Sequence, residues 1–318
     1  IGSGDFITFA QGNAGLKFTP SANSVANGSF VIQASTSNAD GGLGGSTAMA
    51  TITVTSVNDA PAGANNTVTT LEDTDYTFAA GDFGFTDPND SPANTLLAVK
   101  ITTLPLVGSL KNNGVALSAG DFVNAADING SLLKFTPAAN AHGAGYASFT
   151  FQVQDDGGTA NGGVDLDPSA KTMTVNVTPV ADTPGVTGAS TLEDTQTSSG
   201  LVISRNAADG AEVTHFKITG LSGGSLFQND GTTAISSGDF ITFAQGNAGL
   251  KFTPSAPLAD GSFVVQASTS NADGGLGGGT VMATITVSPG PIDHYVVSAG
   301  TPQTVGVGFS TTVTAQDS

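Results

Sequence analysis

Acidic side chains in this sequence gather in a few short segments that lie far apart along the chain. Three of these segments are Asn58-Asp59, Asp87-Pro88-Asn89-Asp90 and Asp155-Asp156. Carboxylates held a few ångströms apart repel each other and raise each other's pKa, so such a cluster favours a bound cation. Ca²⁺ takes carboxylate, Asn and backbone oxygens, whereas zinc prefers His or Cys. If the three segments meet in the fold, the chemistry that they support is calcium binding.

A second interpretation needs no metal. Asp, Asn and Gly favour turns for local reasons, and turn formation is a sufficient explanation for any single one of these aspartates. The calcium hypothesis therefore depends on whether the strands bring the segments together.

Apolar residues alternate with polar ones along most of the chain, for example at Phe149, Phe151 and Val153. Runs rich in β-branched residues, such as Met173-Thr174-Val175-Asn176-Val177, are bounded by Gly, Asn and Asp clusters. This pattern is typical of half-buried strands, and short strands at this spacing predict an all-β sandwich.

Strand direction predicts which acidic segments meet. In a seven-strand Greek-key sandwich, successive strands alternate in direction. The segments 87–90 and 155–156 then return to the end at which the linker 58–59 enters. Glu72 and Asp73 follow the first strand and are expected at the opposite end.

The chain also contains internal repeats. The segment 4–20 recurs without change at 238–254, and the motif Leu-Glu-Asp-Thr at Leu71 recurs at Leu192, about 120 residues later. We therefore predict tandem Greek-key β-sandwiches of the cadherin or immunoglobulin type in an extended array. The predicted boundaries are a truncated repeat at 1–57, complete repeats at 58–180 and 181–288, and a linker with the start of another module at 289–318.

The composition excludes several classes of partner. The net charge is −18, from 26 acidic and 8 basic residues, so nucleic acid and anionic membranes are not expected to bind. No apolar run approaches the ~20 residues that span a bilayer, so membrane insertion of this chain is not expected. There is no cysteine, which excludes disulfides and thiolate metal sites.

Several motifs in order resemble the cadherin-like tandem repeats of large bacterial surface and secreted proteins. They are Val57-Asn58-Asp59-Ala60-Pro61, Leu71-Glu72-Asp73-Thr74, Asp87-Pro88-Asn89-Asp90, Leu133-Lys134-Phe135-Thr136-Pro137 and the segment 149–157. The segment that begins at Ile292 is similar to bacterial immunoglobulin-like modules.

The resemblance implies that calcium ions at the junctions between repeats stiffen the array. At the first junction it implies the ligands Asn58, Asp59, Asp87, Asn89 and Asp155, with Asp90 and Asp156 beside them. At the second junction it implies Glu72, Asp73 and Asp182. There Ala181 stands in place of the Asn, and the further candidates are Asp209, Glu212 and Asp273.

The expected function is that of a non-catalytic, extracellular spacer or stalk in a bacterial adhesin or giant secreted protein, with neighbouring repeats as its partners. One alternative is direct recognition of a surface glycan, a protein or another copy of the chain. Another is an accessory role for a secreted enzyme. Catalysis is not expected, because Asp155 and Asp156 are adjacent on a strand and point in opposite directions, and no Trp lines a sugar cleft. His142, His215 and His294 are interpreted as solvated loop or strand residues.

Overall fold

A computed structural model describes residues 1–255, 259–292, 294–300, 304–308 and 310–316. It divides the chain into two compact units. The first contains 1–70, 75–137 and 145–176, and the second contains 71–74, 138–144 and 177–318. In the predicted C-terminal module, residues 293, 301–303, 309 and 317–318 lie outside the described residues.

The first 57 residues form one β-hairpin and one short helix. Strands β1 (Gly28–Ser35) and β2 (Leu43–Ile52) pair with each other in an antiparallel two-stranded sheet. Helix α1 (Phe9–Asn13) begins after Thr8, whose side chain forms a capping box with Gln11.

The following repeat is a sandwich of two sheets. The five-stranded sheet has the order β3-β11-β10-β5-β8, and the four-stranded sheet has the order β4-β9-β6-β7. The elements are β3 (Asn66–Leu71), β4 (Tyr76–Thr77), β5 (Leu96–Thr103), β6 (Ser109–Asn112), β7 (Val115–Ala116), β8 (Phe122–Asn124), α2 (Ala125–Asn129), β9 (Leu133–Thr136), β10 (Gly143–Asp155) and β11 (Lys171–Thr178).

The next repeat has the same plan. Its five-stranded sheet has the order β13-β21-β20-β15-β18 and faces a three-stranded sheet, β17-β16-β19, while β12 pairs with β14. The elements are β12 (Gly185–Val186), β13 (Ala189–Leu192), β14 (Ile203–Ser204), β15 (His215–Ser222), β16 (Gly224–Phe227), β17 (Ala234–Ile235), β18 (Phe240–Thr242), α3 (Phe243–Asn247), β19 (Lys251–Pro254), β20 (Gly261–Ser268) and β21 (Val281–Ser288).

Alternating side chains form the core of each sandwich. Along β10, Ala147, Phe149, Phe151 and Val153 are all buried, and the residues between them face outward. The ring of Phe151 packs edge-on against Phe83, with 4.9 Å between the ring centroids. The prediction of an all-β fold built from sandwich repeats is confirmed.

Two further strands follow the last sandwich. Strands β22 (His294–Ala299) and β23 (Thr311–Gln316) form an antiparallel pair. Short 3₁₀ turns occur at Asp40–Gly42, Ala80–Phe83, Ala160–Gly162 and Asp273–Gly275. Within the described residues, no helix is long and apolar enough to cross a membrane.

Candidate metal centre

Asp155 occupies a core-facing position, although its side chain is charged. It is the last residue of β10 and continues the inward alternation of Phe151 and Val153, so its side chain is fully buried. Asp156 follows immediately and points outward, where its carboxylate accepts hydrogen bonds from the Thr95 backbone and hydroxyl at 2.7 Å each. The two adjacent aspartates therefore face opposite ways, as the sequence predicted.

Only one oxygen of the Asp155 carboxylate has hydrogen-bond partners. Oδ1 accepts from Asn58 Nδ2 at 2.9 Å and from the Gly157 N–H at 2.9 Å. Oδ2 is buried and has no partner among the described residues. A buried carboxylate oxygen without a donor is costly, because it loses its water and gains nothing in return.

Asp87 repeats this arrangement from another loop. It is buried, and its Oδ2 accepts the Asn94 backbone N–H at 3.0 Å, while its Oδ1 is buried without a described partner. Asn94 also donates from Nδ2 to Asn58 Oδ1. The Asn58 amide donates in turn to the Val164 carbonyl at 2.8 Å. The two orphan oxygens thus belong to side chains joined through one network.

The linker and the 87–90 loop are also joined by a backbone contact. The Asp59 N–H donates to Asp90 Oδ2 at 3.0 Å. We call Asn58, Asp59, Asp87, Asp90 and Asp155 the Asn58 cluster. All five lie in the first compact unit. The linker, the loop after the second strand and the end of β10 are therefore brought together, as strand direction predicted.

The electrostatics of the cluster oppose two ionised carboxylates. Burial raises the pKa of Asp155, and the Asp87 and Asp165 charges add to this, against the hydrogen bonds from Gly157 and Asn58. Burial likewise raises the pKa of Asp87. The negative charges of Asp90 and Asp59 raise it further, and the hydrogen bond from the Asn94 N–H lowers it in part. A divalent cation would remove this conflict.

The two orphan carboxylate oxygens are of the type that Ca²⁺ binds. Asp87 and Asp155 each present a buried, unpartnered carboxylate oxygen, whereas the Asn58 and Asn94 amides donate from Nδ2 to Asp155 and to Asn58. Within the described residues, no group of three or more His, Cys, Asp or Glu side chains is arranged so that it could hold a metal ion. A full set of six to eight ligands would therefore require amide, backbone or water oxygens as well.

Gly157 closes the cluster from one side. A Cβ atom at this position would overlap Asn58 Oδ1 and Asn94 Nδ2. Asn89, in contrast, is exposed beside the cluster. Asn94 was missed in the sequence because it lies outside the repeated acidic motifs, and only the fold brings it to Asp87.

A second group, the Asp209 cluster, contains Asp182, Asp209 and Glu212. Asp209 accepts the Asp182 N–H on Oδ1 at 2.9 Å and the Asn206 N–H on Oδ2 at 3.2 Å, so both of its oxygens have donors. Burial raises the pKa of Asp209, and the charges of Asp182 and Glu212 contribute. The pKa of Glu212 is lowered. Burial by itself would raise this pKa, but hydrogen bonds from backbone N–H groups and the charges of His142 and Arg205 outweigh burial.

His142 contradicts the interpretation as a solvated residue. Its side chain is 30% exposed, Nδ1 lies 3.1 Å from Glu72 Oε2, and Nε2 lies 3.6 Å from Glu212 Oε2. Glu72 is buried and also accepts the Val180 N–H at 2.6 Å. The sequence hid this contact because the three residues come from segments about 70 residues apart. His215 is half-buried against the Thr214 hydroxyl, and the side chain of His294 lies outside the described part.

The other candidate ligands have ordinary partners. Asp73 is an exposed turn residue with φ of 55°, and its Oδ1 accepts the Asn140 N–H at 2.9 Å. Asp273 is exposed and forms an ion pair of 2.5 Å with Lys217.

The Asn58 cluster has no full counterpart in the next repeat. Ala181 replaces Asn58, and Asn206 stands where Asp87 does relative to the following aspartate. Thr269 and Ser270 stand where Asp155 and Asp156 do, because Gln266 and Ser268 make the contacts that Gln152 and Gln154 make. The Thr269 N–H donates to the Gly275 carbonyl at 2.9 Å, as the Asp155 N–H does to the Asp165 carbonyl, but its side chain carries no charge. The second site therefore lacks the two orphan carboxylates.

A comparison with family models finds a match over the first complete sandwich. Residues 58–167 match the family described as Bacterial Ig domain. The match covers about a third of the chain, and its range contains every residue of the Asn58 cluster. The match supports the resemblance to bacterial cadherin-like and immunoglobulin-like repeats. Bacterial domains of these types are extracellular and typically non-catalytic.

Solved structures that are similar to the chain were also found. The chain is similar to mouse cadherin-23 EC22-24 with 14% identity and a TM-score of 0.39, over 82% of this chain and 80% of that one. It is similar to human CDH23 EC21-23 with 15% identity and a TM-score of 0.34, over 79% and 84%. Scores this low carry no argument about function. No curated protein is similar enough in sequence to count as a relative.

Proposed function

We propose that this chain is a non-catalytic, extracellular spacer of a bacterial surface or secreted protein, stiffened by Ca²⁺ at the Asn58 cluster. One observation supports this most strongly. Asp87 and Asp155 come from loops distant in sequence, and each places a buried, unpartnered carboxylate oxygen in the same network. A bound divalent cation gives both oxygens a partner and neutralises their repulsion.

The position of the cluster explains how binding would stiffen the chain. Asp59 and Asp90 line an open cavity of about 230 Å³ together with Pro20, Val25 and Val57 of the preceding segment. An ion held by the linker and two loops fixes the backbone between successive repeats. Without the ion, the same loops carry unneutralised negative charge, which favours separation.

In this proposal calcium has a structural role only: its positive charge holds the acidic loops together. Extracellular calcium modules bind with Kd of about 10⁻⁴–10⁻³ M, so the site would be filled outside the cell and empty where calcium is scarce. At 10 mM calcium such a site would stabilise the folded state by about 1.4–2.7 kcal/mol.

Small-angle scattering of the chain in calcium and in chelator tests the proposal. We expect a longer maximum dimension and a higher melting temperature in calcium, and no change for an Asp87→Asn/Asp155→Asn double variant. Magnesium at the same concentration controls for ionic strength. Equal profiles in calcium and in chelator would remove the mechanism and leave a plain β-domain spacer.

A further inference from the structure

The Leu-Glu-Asp-Thr motif of each complete sandwich stands at the same place in both sheets. Its glutamate is the residue directly after a strand, β3 in one copy and β13 in the other. The strand that closes each sandwich lies beside it, β11 next to β3 and β21 next to β13. The motif therefore lies where an early strand of the sheet meets the strand by which the chain leaves it.

In the last sandwich, the glutamate continues a parallel ladder. Strands β13 and β21 run in the same direction and stay in register up to the pair of Leu192 and Ser288. Beyond this pair, the Glu193 N–H donates to the Ser288 carbonyl at 2.9 Å. The Gly290 N–H then donates to Glu193 Oε1 at 2.8 Å. The carboxylate thus makes the contact that follows the last backbone bond.

The chain turns directly after the glutamate, which explains why a side chain takes over. Asp194 has a φ of 54°, and the Thr195 N–H donates to the Leu192 carbonyl at 3.3 Å. Strand β13 therefore ends in a turn where the closing segment still has an N–H to place. Pro289 lacks an N–H, but alternate residues of a strand face a given neighbour, so this proline removes no bond to β13.

The other copy has the same contacts. The Glu72 N–H donates to the Thr178 carbonyl at 2.9 Å, and the Val180 N–H donates to Glu72 Oε1 at 2.6 Å. Pro179 stands where Pro289 does, and all of these contacts lie in the second compact unit. Because the closing segments differ, Thr-Pro-Val in one copy and Ser-Pro-Gly in the other, the feature that both copies share is the glutamate.

Tension along the chain would act directly on this ladder. A force that enters the last sandwich at β13 and leaves it after β21 pulls the two parallel strands in opposite directions along their length. The ladder bonds then share the force and have to break together, whereas strands that are peeled apart from one end lose their bonds one at a time. A carboxylate that accepts a backbone N–H makes a stronger hydrogen bond than a neutral carbonyl does.

We propose that the glutamate of each Leu-Glu-Asp-Thr motif is a latch that holds the closing strand against tension along the chain. Glu72 and Glu193 would carry this role without calcium, because the Asn58 cluster contributes no residue to either latch. The oxygens of Glu72 are in fact occupied by other groups, Oε1 by the Val180 N–H and Oε2 by His142.

Single-molecule pulling on the full chain, held at both ends in a calcium chelator, tests the proposal. At constant force we expect Glu193→Ala to unfold the last sandwich at least about tenfold faster, because it removes a hydrogen bond to a charged group. The sandwich within 58–180 should keep its unfolding rate in the same molecules. The length of chain that each event releases tells the two apart. Chelator keeps this test separate from the calcium proposal.

Two matched variants isolate the latch. Asp194→Ala removes an exposed charge from the neighbouring residue and should leave the unfolding rate unchanged. Glu193→Gln keeps an acceptor oxygen and should unfold more slowly than Glu193→Ala. If Glu193→Ala does not fold, Glu72→Ala tests the other copy, where it should speed the unfolding of the sandwich within 58–180 and leave the last one unchanged.

A second pulling geometry separates resistance to tension from ordinary stabilisation. The chain has no cysteine, so Ser199→Cys gives a single attachment point at an exposed residue beyond the latch. Pulling between this point and the C-terminal end leaves β13 without tension, so the effect of Glu193→Ala should become smaller.

Three outcomes would overturn the proposal. One is equal unfolding rates of Glu193→Ala and the native chain when both ends are held. Another is an equal acceleration by Asp194→Ala, which would assign the effect to the turn. The third is an undiminished effect of Glu193→Ala in the second geometry, which would mean that the glutamate stabilises the sandwich without bearing tension.

Discussion

At the scale of single residues, the unusual feature is a carboxylate in a core-facing position. Asp155 is fully buried with one orphan oxygen, while Asp156 beside it is exposed and hydrogen-bonded. We expect Asp155→Asn to stabilise the calcium-free chain by about 1–2 kcal/mol, since a neutral amide is less costly to bury than a charge. The same variant should lose the calcium-dependent rise in melting temperature. Calorimetry with and without calcium measures both effects.

Asp156→Asn is the control for this variant, because it changes the same charge one residue away on the solvent side. It should keep the response to calcium. If Asp155→Asn still responds to calcium as the native chain does, Asp155 is not a ligand and the turn interpretation of these aspartates is sufficient.

The pH dependence of stability follows from the two raised pKa values. Burial raises the pKa of Asp155 and Asp87, so each binds a proton more tightly in the folded chain than in the unfolded chain. Their contribution to stability is therefore present at low pH and is lost as the pH rises through the raised values. In calcium-free buffer, the stability gap between the Asp87→Asn/Asp155→Asn variant and the native chain should be widest near neutrality. The gap should narrow as the pH falls to about 4, which is the ordinary pKa of a carboxyl group.

Thermal melts of both proteins from neutral to acid pH give this gap directly. Because protons compete with calcium for the same oxygens, the stabilisation by calcium should weaken over the same interval. A gap that stays constant with pH would contradict the assignment of raised pKa values to these two groups.

At the scale of elements, Gly157 couples the end of β10 to the linker. A methyl group there would overlap Asn58 Oδ1 and Asn94 Nδ2, so Gly157→Ala should displace both side chains and weaken calcium binding at least about tenfold, or ~1.4 kcal/mol. A Cβ atom at Gly274 would meet no other atom within 4 Å, so Gly274→Ala serves as the control. Isothermal titration with calcium checks both variants, and equal affinities would show that the Asn58 contacts are not needed.

The elements also explain what could be predicted from the sequence. Strand alternation predicted that Asp155 and Asp156 point in opposite directions, and strand direction predicted that 58–59, 87–90 and 155–156 lie at one end. Both inferences need only local periodicity and the order of strands. Asn94 and the His142 contact with Glu72 were missed, because loop conformation and distant side-chain packing leave no periodic signal in the sequence.

At the scale of the whole molecule, the two acidic clusters respond differently to the same ion. The Asn58 cluster has two buried carboxylate oxygens without a donor among the described residues. In the Asp209 cluster, each carboxylate oxygen of Asp209 accepts a hydrogen bond, and Glu212 Oε2 lies 3.6 Å from His142 Nε2. Ala181 and Thr269 stand in place of Asn58 and Asp155, so the second site lacks both the Asn side chain and the buried charge. We therefore expect calcium to slow hydrogen exchange around 58–59, 87–94 and 155–157, and to leave 181–183 and 206–212 unchanged.

Hydrogen exchange on the full chain measures both regions in one sample, so each cluster is the control for the other. The Asp87→Asn/Asp155→Asn variant should abolish the calcium effect at the first region without creating one at the second. Calcium-dependent protection at 206–212 would mean that ligand chemistry survives without orphan oxygens. In that case the burial argument would no longer decide where this chain binds calcium, and both junctions would have to be treated as metal sites.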